Sequence, residues 1–209
     1  MVSKKKLLRK PGLYLVTDSR ALKGRELFKA IASSLKAGVD MVQFRDKEAS
    51  DADFFAAGLR IKKLVNNKAL FIINDRVHMA LALDADGVHL GQTDMPVKSA
   101  RDILGRGKII GLSANTLEEA RGAEKQGADY IAIGAVFRTP VKPDCRHAGL
   151  TTLRRAAKNI KTPLVAIGGI NETNITEVVS CGVKRAAVVR AILASRDPYL
   201  AAKNLLGKI

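Results

Sequence analysis

The chain has 209 residues, 47% of them hydrophobic, and its 36 Lys and Arg against 20 Asp and Glu give a formal net charge of +16. This length supports one sizeable domain or two small ones, and no run of residues approaches the ~18 apolar residues that a membrane span requires, which argues against a membrane-spanning protein. The charge indicates an anionic partner without saying which kind. Because there is no Trp and few other aromatic residues to stack on bases, a phosphorylated small molecule fits at least as well as nucleic acid.

The basic N-terminal segment 1–10 lacks both the apolar stretch and the small-residue cleavage site of a secretory signal. We therefore expect a cytoplasmic protein with a solvated, disordered tail at 1–10 and a single catalytic domain at 11–209. Cys145 and Cys181 lie far apart without metal-ligand spacing, so neither a disulfide framework nor a zinc site is predicted. A homo-oligomer remains open.

Short segments rich in Val, Ile and Leu alternate with longer amphipathic segments, and the same unit occurs eight times. The strands are predicted at 13–17, 41–44, 70–73, 87–90, 109–112, 130–133, 164–167 and 186–189. The helices are predicted at 25–36, 52–66, 77–83, 97–104, 117–126, 150–158, 175–180 and 198–205.

Several predicted strands, such as 130–133, are apolar on both faces, as parallel strands covered by helices are. Eight strand–helix units of about 26 residues each predict an α/β protein, a single-domain (β/α)8 TIM barrel near the lower end of its size range. An open doubly wound sheet is the alternative. It is weakened because no Gly-x-Gly-x-x-Gly motif follows the first strand.

Polar residues follow the second, third and fourth strands, at the end where such barrels place their active sites. In the extended segment after the second strand, Gln43, Arg45 and Lys47 share one side and form a cationic cluster with an amide at its base. Asp75 and Asp94 follow the next two strands, and two such carboxylates can hold Mg2+. Each could instead cap a helix.

His89 lies within the fourth strand. A histidine in this position is interpreted as a packed or pocket-wall residue rather than as a metal ligand.

Further anion-binding features follow the later strands. Ser113, after the fifth strand, can donate to a phosphate, and the long loop after the sixth strand carries Thr139 and Lys142, which can close over an anion. Gly168 and Gly169 after the seventh strand, with a helix start after the eighth, are typical of a backbone phosphate site, although a tight turn also needs Gly. The residues thus predict two anion sites, one cationic and metal-assisted and one built from backbone.

Seven short motifs occur in order over nearly the whole chain: Tyr14-Leu-Val-Thr17, Gln43-x-Arg45-x-Lys47, Asn74-Asp75-Arg76, Gly87-Val-His-Leu-Gly-Gln-x-Asp94, Gly111-x-Ser113, Thr139-x-x-Lys142 and Ile167-Gly-Gly-Ile170. Together they resemble the thiamine-phosphate synthase family. That family joins 4-amino-2-methyl-5-hydroxymethylpyrimidine diphosphate to 4-methyl-5-(2-phosphoethyl)thiazole and releases diphosphate. The resemblance implies a transferase in which diphosphate leaves first and the thiazole nitrogen then captures the pyrimidine methylene cation.

The resemblance also implies roles for the matching residues. Gln43 would hold the pyrimidine, and Asp75 and Asp94 would bind Mg2+ as the cofactor. The implied diphosphate contacts are Arg45, Lys47, Asn74, Ser113 and Lys142. The implied contacts of the thiazole phosphate are Thr139, Val141, Gly169, Val189 and Arg190. Because stabilising charge on the departing diphosphate is the main chemical task, the implied catalytic residues are Arg45, Ser113 and Lys142.

The chain departs from the family pattern at two places. Thr139-Pro-Val141-Lys142 stands where the family usually has Thr-x-Thr-Lys, so one hydroxyl contact is missing. Val189-Arg190 stands where the family usually has Ile-Ser at the end of the last strand, and Arg190 can add charge for the phosphate.

Two other functions are weighed against the synthase. A related thiazole tautomerase moves a proton and needs a base; the resemblance suggests a histidine near the fifth strand, where this chain has Asn115. The second alternative function is that of a basic barrel that binds nucleic acid or another anionic polymer. The Gln-x-Arg-x-Lys motif and the two aspartates favour the synthase over both alternatives.

Overall fold

Eight parallel strands close into a barrel in the computed structural model, which describes residues 4–22, 24–139 and 146–209. The ring closes where β1 pairs with β8, with Leu13 opposite Ala186. The strands are β1 (Gly12–Val16), β2 (Met41–Phe44), β3 (Leu70–Asn74), β4 (Gly87–Leu90), β5 (Ile109–Ala114), β6 (Tyr130–Ile133), β7 (Leu164–Ile167) and β8 (Arg185–Val188). The predicted (β/α)8 barrel is confirmed, and the open sheet is excluded.

The helices pack around the barrel. They are α1 (Lys4–Leu7), α2 (Gly24–Ala37), α3 (Asp51–Val65), α4 (Val77–Ala82), α5 (Val97–Leu104), α6 (Leu117–Lys125), α7 (Gly149–Asn159), α8 (Ile175–Ser180), α9 (Arg190–Leu193) and α10 (Pro198–Leu206). Predicted and observed bounds of the shared elements agree within two residues. Among the described elements, α1 was not predicted, and α9 was predicted only as a helix start after the eighth strand, because a helix of four residues is too short to show the 3.6-residue periodicity.

Each strand is buried on both faces, and alternation divides its side chains between two cores. On β1, Leu13 and Leu15 face the surrounding helices, while Tyr14 and Val16 face the barrel interior. Tyr14 and Tyr130 are the largest side chains of the interior core, and both are almost fully buried. Their hydroxyl groups therefore need hydrogen-bond partners inside the barrel.

The segment 4–10 covers the N-terminal end of the barrel, so the expectation of a solvated, disordered tail is wrong for these residues. Leu8 is 3% exposed and belongs to the interior core. Arg185 on β8 donates from Nη2 to the carbonyl oxygens of Leu7 (2.8 Å) and Lys10 (3.1 Å), and pairs with Asp40 at 2.7 Å. The tail is ordered because it covers apolar side chains and accepts two hydrogen bonds from a buried guanidinium, whose Nε has no partner among the described residues.

Within the described ranges, none of the helices combines the length and apolarity that crossing a bilayer would take. Cys181 is a buried free thiol, while Cys145 lies outside the described residues.

Candidate active site

A cavity of about 1110 Å³ opens at the C-terminal ends of the strands. Because parallel strands end at the same face of a barrel, residues far apart in sequence meet there. All the predicted site residues that the structure describes line this cavity: Gln43, Arg45, Lys47, Asn74, Asp75, Asp94, Ser113, Thr139, Gly169, Val189 and Arg190. The predicted residues Val141 and Lys142 lie outside the described part of the chain.

Asp75 and Asp94 form a carboxylate pair on one wall of the cavity. Burial, a hydrogen bond with Asp94 and repulsion from its charge raise the pKa of the Asp75 carboxyl above its ordinary value. Asp75 has a left-handed backbone (φ 57°), and its N–H donates to the carbonyl oxygen of His89 at 2.9 Å. Asp94 accepts from the Gly91 N–H at 2.6 Å. The backbone therefore fixes both carboxylates at the mouth.

Neither carboxylate caps a helix, which removes the alternative that the sequence left open. The N-cap position of α4 is Arg76 and that of α5 is Pro96, and neither helix has a side-chain cap. A divalent cation would relieve the repulsion between Asp75 and Asp94. Nowhere in the described residues do three or more His, Cys, Asp or Glu side chains lie close enough together to bind one metal ion. A cation at Asp75 and Asp94 would therefore take its other ligands from water or substrate oxygens. Mg2+ prefers this donor set, and the residues present fit it.

Arg45 is held in place by the end of β1. Its guanidinium Nη1 lies 3.1 Å from Oδ2 of Asp18, which is 3% exposed. Its backbone N–H donates to Oγ1 of Thr17 at 2.8 Å, and Oγ1 donates to its carbonyl oxygen at 3.0 Å. Asp18 was not predicted as a site residue, although it lies just after a strand, as the predicted site residues Asp75 and Arg45 do. Asp18 therefore holds the Arg45 side chain in place at the cavity wall.

Lys47 approaches the carboxylate pair from the solvent side, with Nζ 3.4 Å from Oδ2 of Asp75. Its side chain is about half exposed, so the ion pair is screened by water. The ammonium group of Lys47 can therefore leave the Asp75 carboxylate and pair with an incoming anion.

A chain of hydrogen bonds crosses the barrel beneath the cavity. Gln43 Nε2 donates to the Tyr14 hydroxyl at 2.7 Å, and the hydroxyls of Tyr14 and Tyr130 lie 2.9 Å apart. The Tyr130 hydroxyl lies 2.9 Å from Nδ1 of His89, and Nε2 of His89 lies 2.9 Å from Oγ of Ser113. Burial raises the pKa of both tyrosines, so both remain protonated. We call these five residues the interior relay.

His89 occupies the pocket wall, as predicted. Its ring stacks on Tyr130 with centroids 5.4 Å apart. Neither Tyr14 nor Tyr130 was predicted as a site residue, because a tyrosine within an apolar strand is usually a core residue.

The ends of β7 and β8 present backbone groups to the cavity. Gly168 and Gly169 both have positive φ, and a Cβ at Gly169 would collide with the carbonyl oxygen of Arg138. Among the described residues, the N–H groups of Gly169 and Arg190 have no acceptor. Such N–H groups can bind a phosphate, and the Arg190 side chain is exposed beside them.

Asn115 ties both ends of the loop after β6 to β5. Its Nδ2 donates to the carbonyl oxygens of Gly134 and Arg146, the latter at 3.2 Å. The amide thus serves to hold the loop that brings Thr139 to the cavity.

The chain is similar to proteins of one family over most of its length. The family model described as thiamine monophosphate synthase matches residues 13–192. The chain is 46% identical over 185 residues to the thiamine-phosphate synthase of Clostridium acetobutylicum, a match covering 88% of each protein. It is 44% identical to that of Alkaliphilus oremlandii over 95% of each.

A solved structure, thiamine phosphate pyrophosphorylase from Pyrococcus furiosus, superposes with a TM-score of 0.89 at 41% identity and covers 97% of this chain and 96% of its own. With the fold, the cavity and these matches in agreement, the chain belongs to the thiamine monophosphate synthase family.

Proposed function

We propose that this chain is a thiamine-phosphate synthase that joins 4-amino-2-methyl-5-hydroxymethylpyrimidine diphosphate to 4-methyl-5-(2-phosphoethyl)thiazole and uses Mg2+ as its cofactor. The observation that carries the proposal is the Asp75 and Asp94 carboxylate pair, which lies beside Lys47 in the same cavity as Arg45. Two carboxylates with nearby cations suit a metal-bound diphosphate better than a simple phosphate ester.

The leaving diphosphate occupies the wall formed by β2 to β5 in this proposal. Arg45, Lys47, Asn74 and Ser113 donate to its oxygens, and all four line the cavity. Asp18 prevents the Arg45 side chain from folding away from this wall. The family resemblance adds Lys142 to this set, and that assignment rests on sequence alone.

The pyrimidine binds above the interior relay. Because one N–H of Gln43 is used by Tyr14, the carbonyl oxygen and the second N–H of its amide are left for the ring and its amino group. Gln43 is 3% exposed, so its amide is rigidly held.

The thiazole phosphate binds at the wall formed by the ends of β7 and β8, where Gly169 and Arg190 line the cavity and their N–H groups have no acceptor among the described residues. Val189 and Thr139 line the same cavity and would contact the thiazole ring. The Arg190 guanidinium adds a positive charge that the usual Ser does not supply.

The reaction needs no general base. The bond between the methylene carbon and the diphosphate oxygen breaks with both electrons on oxygen, and the nitrogen lone pair of the thiazole then forms the new bond to that carbon. Arg45, Lys47 and Ser113 stabilise the charge that develops on the departing oxygen, the kind of interaction that usually dominates catalysis. Bound by Asp75 and Asp94, Mg2+ would supply further neutralisation of this charge.

The tautomerase alternative is not supported by the site. The residue in the neighbourhood where that activity needs a base is Asn115, and its amide is used in holding the carbonyl groups of Gly134 and Arg146.

The proposal is tested by incubating the protein with both substrates and Mg2+ and measuring thiamine phosphate and diphosphate. Asp75→Asn should lower the rate by about 100-fold or more, because it removes one of the two carboxylates. Asp102→Asn is the matched control, since Asp102 is an exposed carboxylate on α5 that pairs with Lys98. A folded wild type that forms no product would contradict the proposed function. Equal rates for the two variants would contradict the metal-binding role of Asp75.

A further inference from the structure

The interior relay joins residues of five strands, and both of its ends, Gln43 and Ser113, line the cavity. The hydrogen bonds between these hydroxyls, the amide and the imidazole can run from Gln43 towards Ser113 or in the reverse direction. In the first case Ser113 accepts from His89, and in the second Ser113 donates to it. The number of protons on each group decides between the two directions.

The hydroxyl of Tyr14 has two hydrogen-bond partners, Gln43 and Tyr130. Its oxygen accepts from Gln43, so its own proton needs an acceptor, and Tyr130 is the partner left for it. If Tyr130 donated to Tyr14 instead, the proton of Tyr14 would have no acceptor among the described residues at a site that is 1% exposed. Buried donors are rarely left unsatisfied, so Tyr14 donates to Tyr130.

The direction of the Tyr14 hydrogen bond also decides the tautomer of the His89 imidazole. With its oxygen accepting from Tyr14, Tyr130 donates its proton to Nδ1 of His89, 2.9 Å away. Nδ1 must then be unprotonated, and the ring proton lies on Nε2. Nε2–H donates to Oγ of Ser113 at 2.9 Å. The proton of Ser113 is thereby turned away from the imidazole and is available to a group in the cavity.

This arrangement has the connectivity of a serine nucleophile with a histidine base and a third group that orients it. The donors and acceptors, however, are reversed relative to such a nucleophilic set. In a nucleophilic set the third group accepts from Nδ1, which leaves the Nε2 lone pair for the serine proton. Here Tyr130 donates to Nδ1, and Nε2 has no lone pair for Ser113.

We propose that the interior relay fixes Ser113 as a hydrogen-bond donor to an anion in the cavity and prevents it from acting as a nucleophile, with Tyr14 and Tyr130 as positioning residues. That this anion is diphosphate rests on the proposed function. The direction of the hydrogen bonds does not rest on it, so an experiment can contradict one of these two claims and leave the other standing.

The first experiment measures the tautomer of His89 by NMR of the full chain labelled with 15N-histidine. The chain has three histidines, and the variants His78→Gln and His147→Gln, both at exposed positions, assign the His89 signals. The proposal requires a proton on Nε2 and none on Nδ1. A proton on Nδ1 would overturn it, whether or not the protein forms thiamine phosphate.

A second experiment separates positioning from mere packing. Tyr130→Phe keeps the ring but removes the donor to Nδ1, and the His89 spectrum should then show protonation of Nδ1. The rate constant kcat should fall by about tenfold while KM for the thiazole phosphate stays unchanged, because a donor to the developing anion is lost. Tyr199→Phe on α10, with its side chain exposed, is the matched control and should change neither quantity.

A double-variant comparison tests whether Tyr130 acts through Ser113. In a Ser113→Ala background, Tyr130→Phe should cause no further loss in kcat. An equal loss in both backgrounds would show that Tyr130 only supports the fold and would overturn its positioning role. Covalent labelling of Ser113 by a fluorophosphonate in the wild type would likewise overturn the donor assignment, since labelling requires an activated nucleophile.

Discussion

The carboxyl groups of Asp75 and Asp94, which follow the neighbouring strands β3 and β4, line the same cavity, where the hydrogen-bonding capacity and the charge of Asp94 add to burial in raising the pKa of Asp75. Two carboxyl groups this close cannot both ionise without repulsion, and burial adds to the cost. The site therefore holds destabilising charge that a bound cation would relieve.

Asp75→Asn should stabilise the metal-free protein at neutral pH while it lowers activity. The amide keeps hydrogen-bonding capacity but removes one of two repelling charges, a gain on the order of 1 kcal/mol, or a rise in Tm of about 2–4 °C for a domain of this size. Thermal unfolding in the presence of a chelator measures it, with Asp102→Asn as the control. A lower Tm for Asp75→Asn would show that the pair does not repel in the folded protein.

The stability of the wild type should depend on pH through Asp75. Its pKa in the folded protein lies above the ordinary value of 3.8, so between these two values the folded state holds a proton that the unfolded state has lost. The free energy of unfolding therefore falls as pH rises through this window and is level above it. The difference in stability between Asp75→Asn and the wild type should widen over the same window in urea titrations. A constant difference at all pH values would contradict the raised pKa.

Added Mg2+ should remove the stability advantage of Asp75→Asn over the wild type at neutral pH. Because a ligand that binds the folded state stabilises it, the Tm of the wild type should rise with Mg2+ concentration. Asp75→Asn should respond weakly, while Asp102→Asn should respond as the wild type does. Equal responses in all three proteins would place the cation elsewhere.

Asp18→Asn should destabilise the protein and weaken diphosphate binding. The side chain of Arg45 is 10% exposed, and removing the charge of its partner leaves a buried guanidinium uncompensated, at a cost of roughly 2–3 kcal/mol. Inorganic diphosphate with Mg2+ should recover part of this loss, because it supplies a new partner to Arg45. Urea unfolding with and without diphosphate tests both points. Wild-type stability in the variant would show that the ion pair does not position Arg45.

Leu8→Ala should lower the free energy of unfolding by about 2–3 kcal/mol, because it opens a cavity at the lower end of the barrel interior. Leu200→Ala on α10 is the matched control, since Leu200 is 53% exposed and should change stability by less than about 0.5 kcal/mol. The comparison is made by chemical denaturation. Equal losses of stability in the two variants would show that the segment 4–10 does not pack against the barrel.

Local sequence patterns were enough to predict the elements and much of the site. Each strand is a short apolar run and each long helix shows its own periodicity, so neither needs information from elsewhere in the chain. Gln43, Arg45 and Lys47 could be grouped because alternation within one extended segment puts them on one side. Asp75 and Asp94 could be paired because the carboxyl ends of neighbouring parallel strands meet at one face of a barrel.

Contacts between distant strands were outside the reach of those patterns. Tyr14 and Tyr130 are 116 positions apart and belong to strands that are not neighbours, so their hydroxyls meet only when the ring of strands has closed. The packing of Leu8 into the interior core likewise needs the closed ring. The ion pair of Asp18 with Arg45 joins the ends of the neighbouring strands β1 and β2, so it depends on how these two strands pair.

The sequence by itself determined the barrel, the face on which the site lies and the chemical types of the residues there, because these follow from local periodicity and strand direction. Tertiary structure decided which buried polar groups pair and in which direction their protons point. That outcome depends on the register of eight strands at once, since every hydroxyl, amide and charge inside a closed barrel has to find its partner among residues that the chain brings from elsewhere.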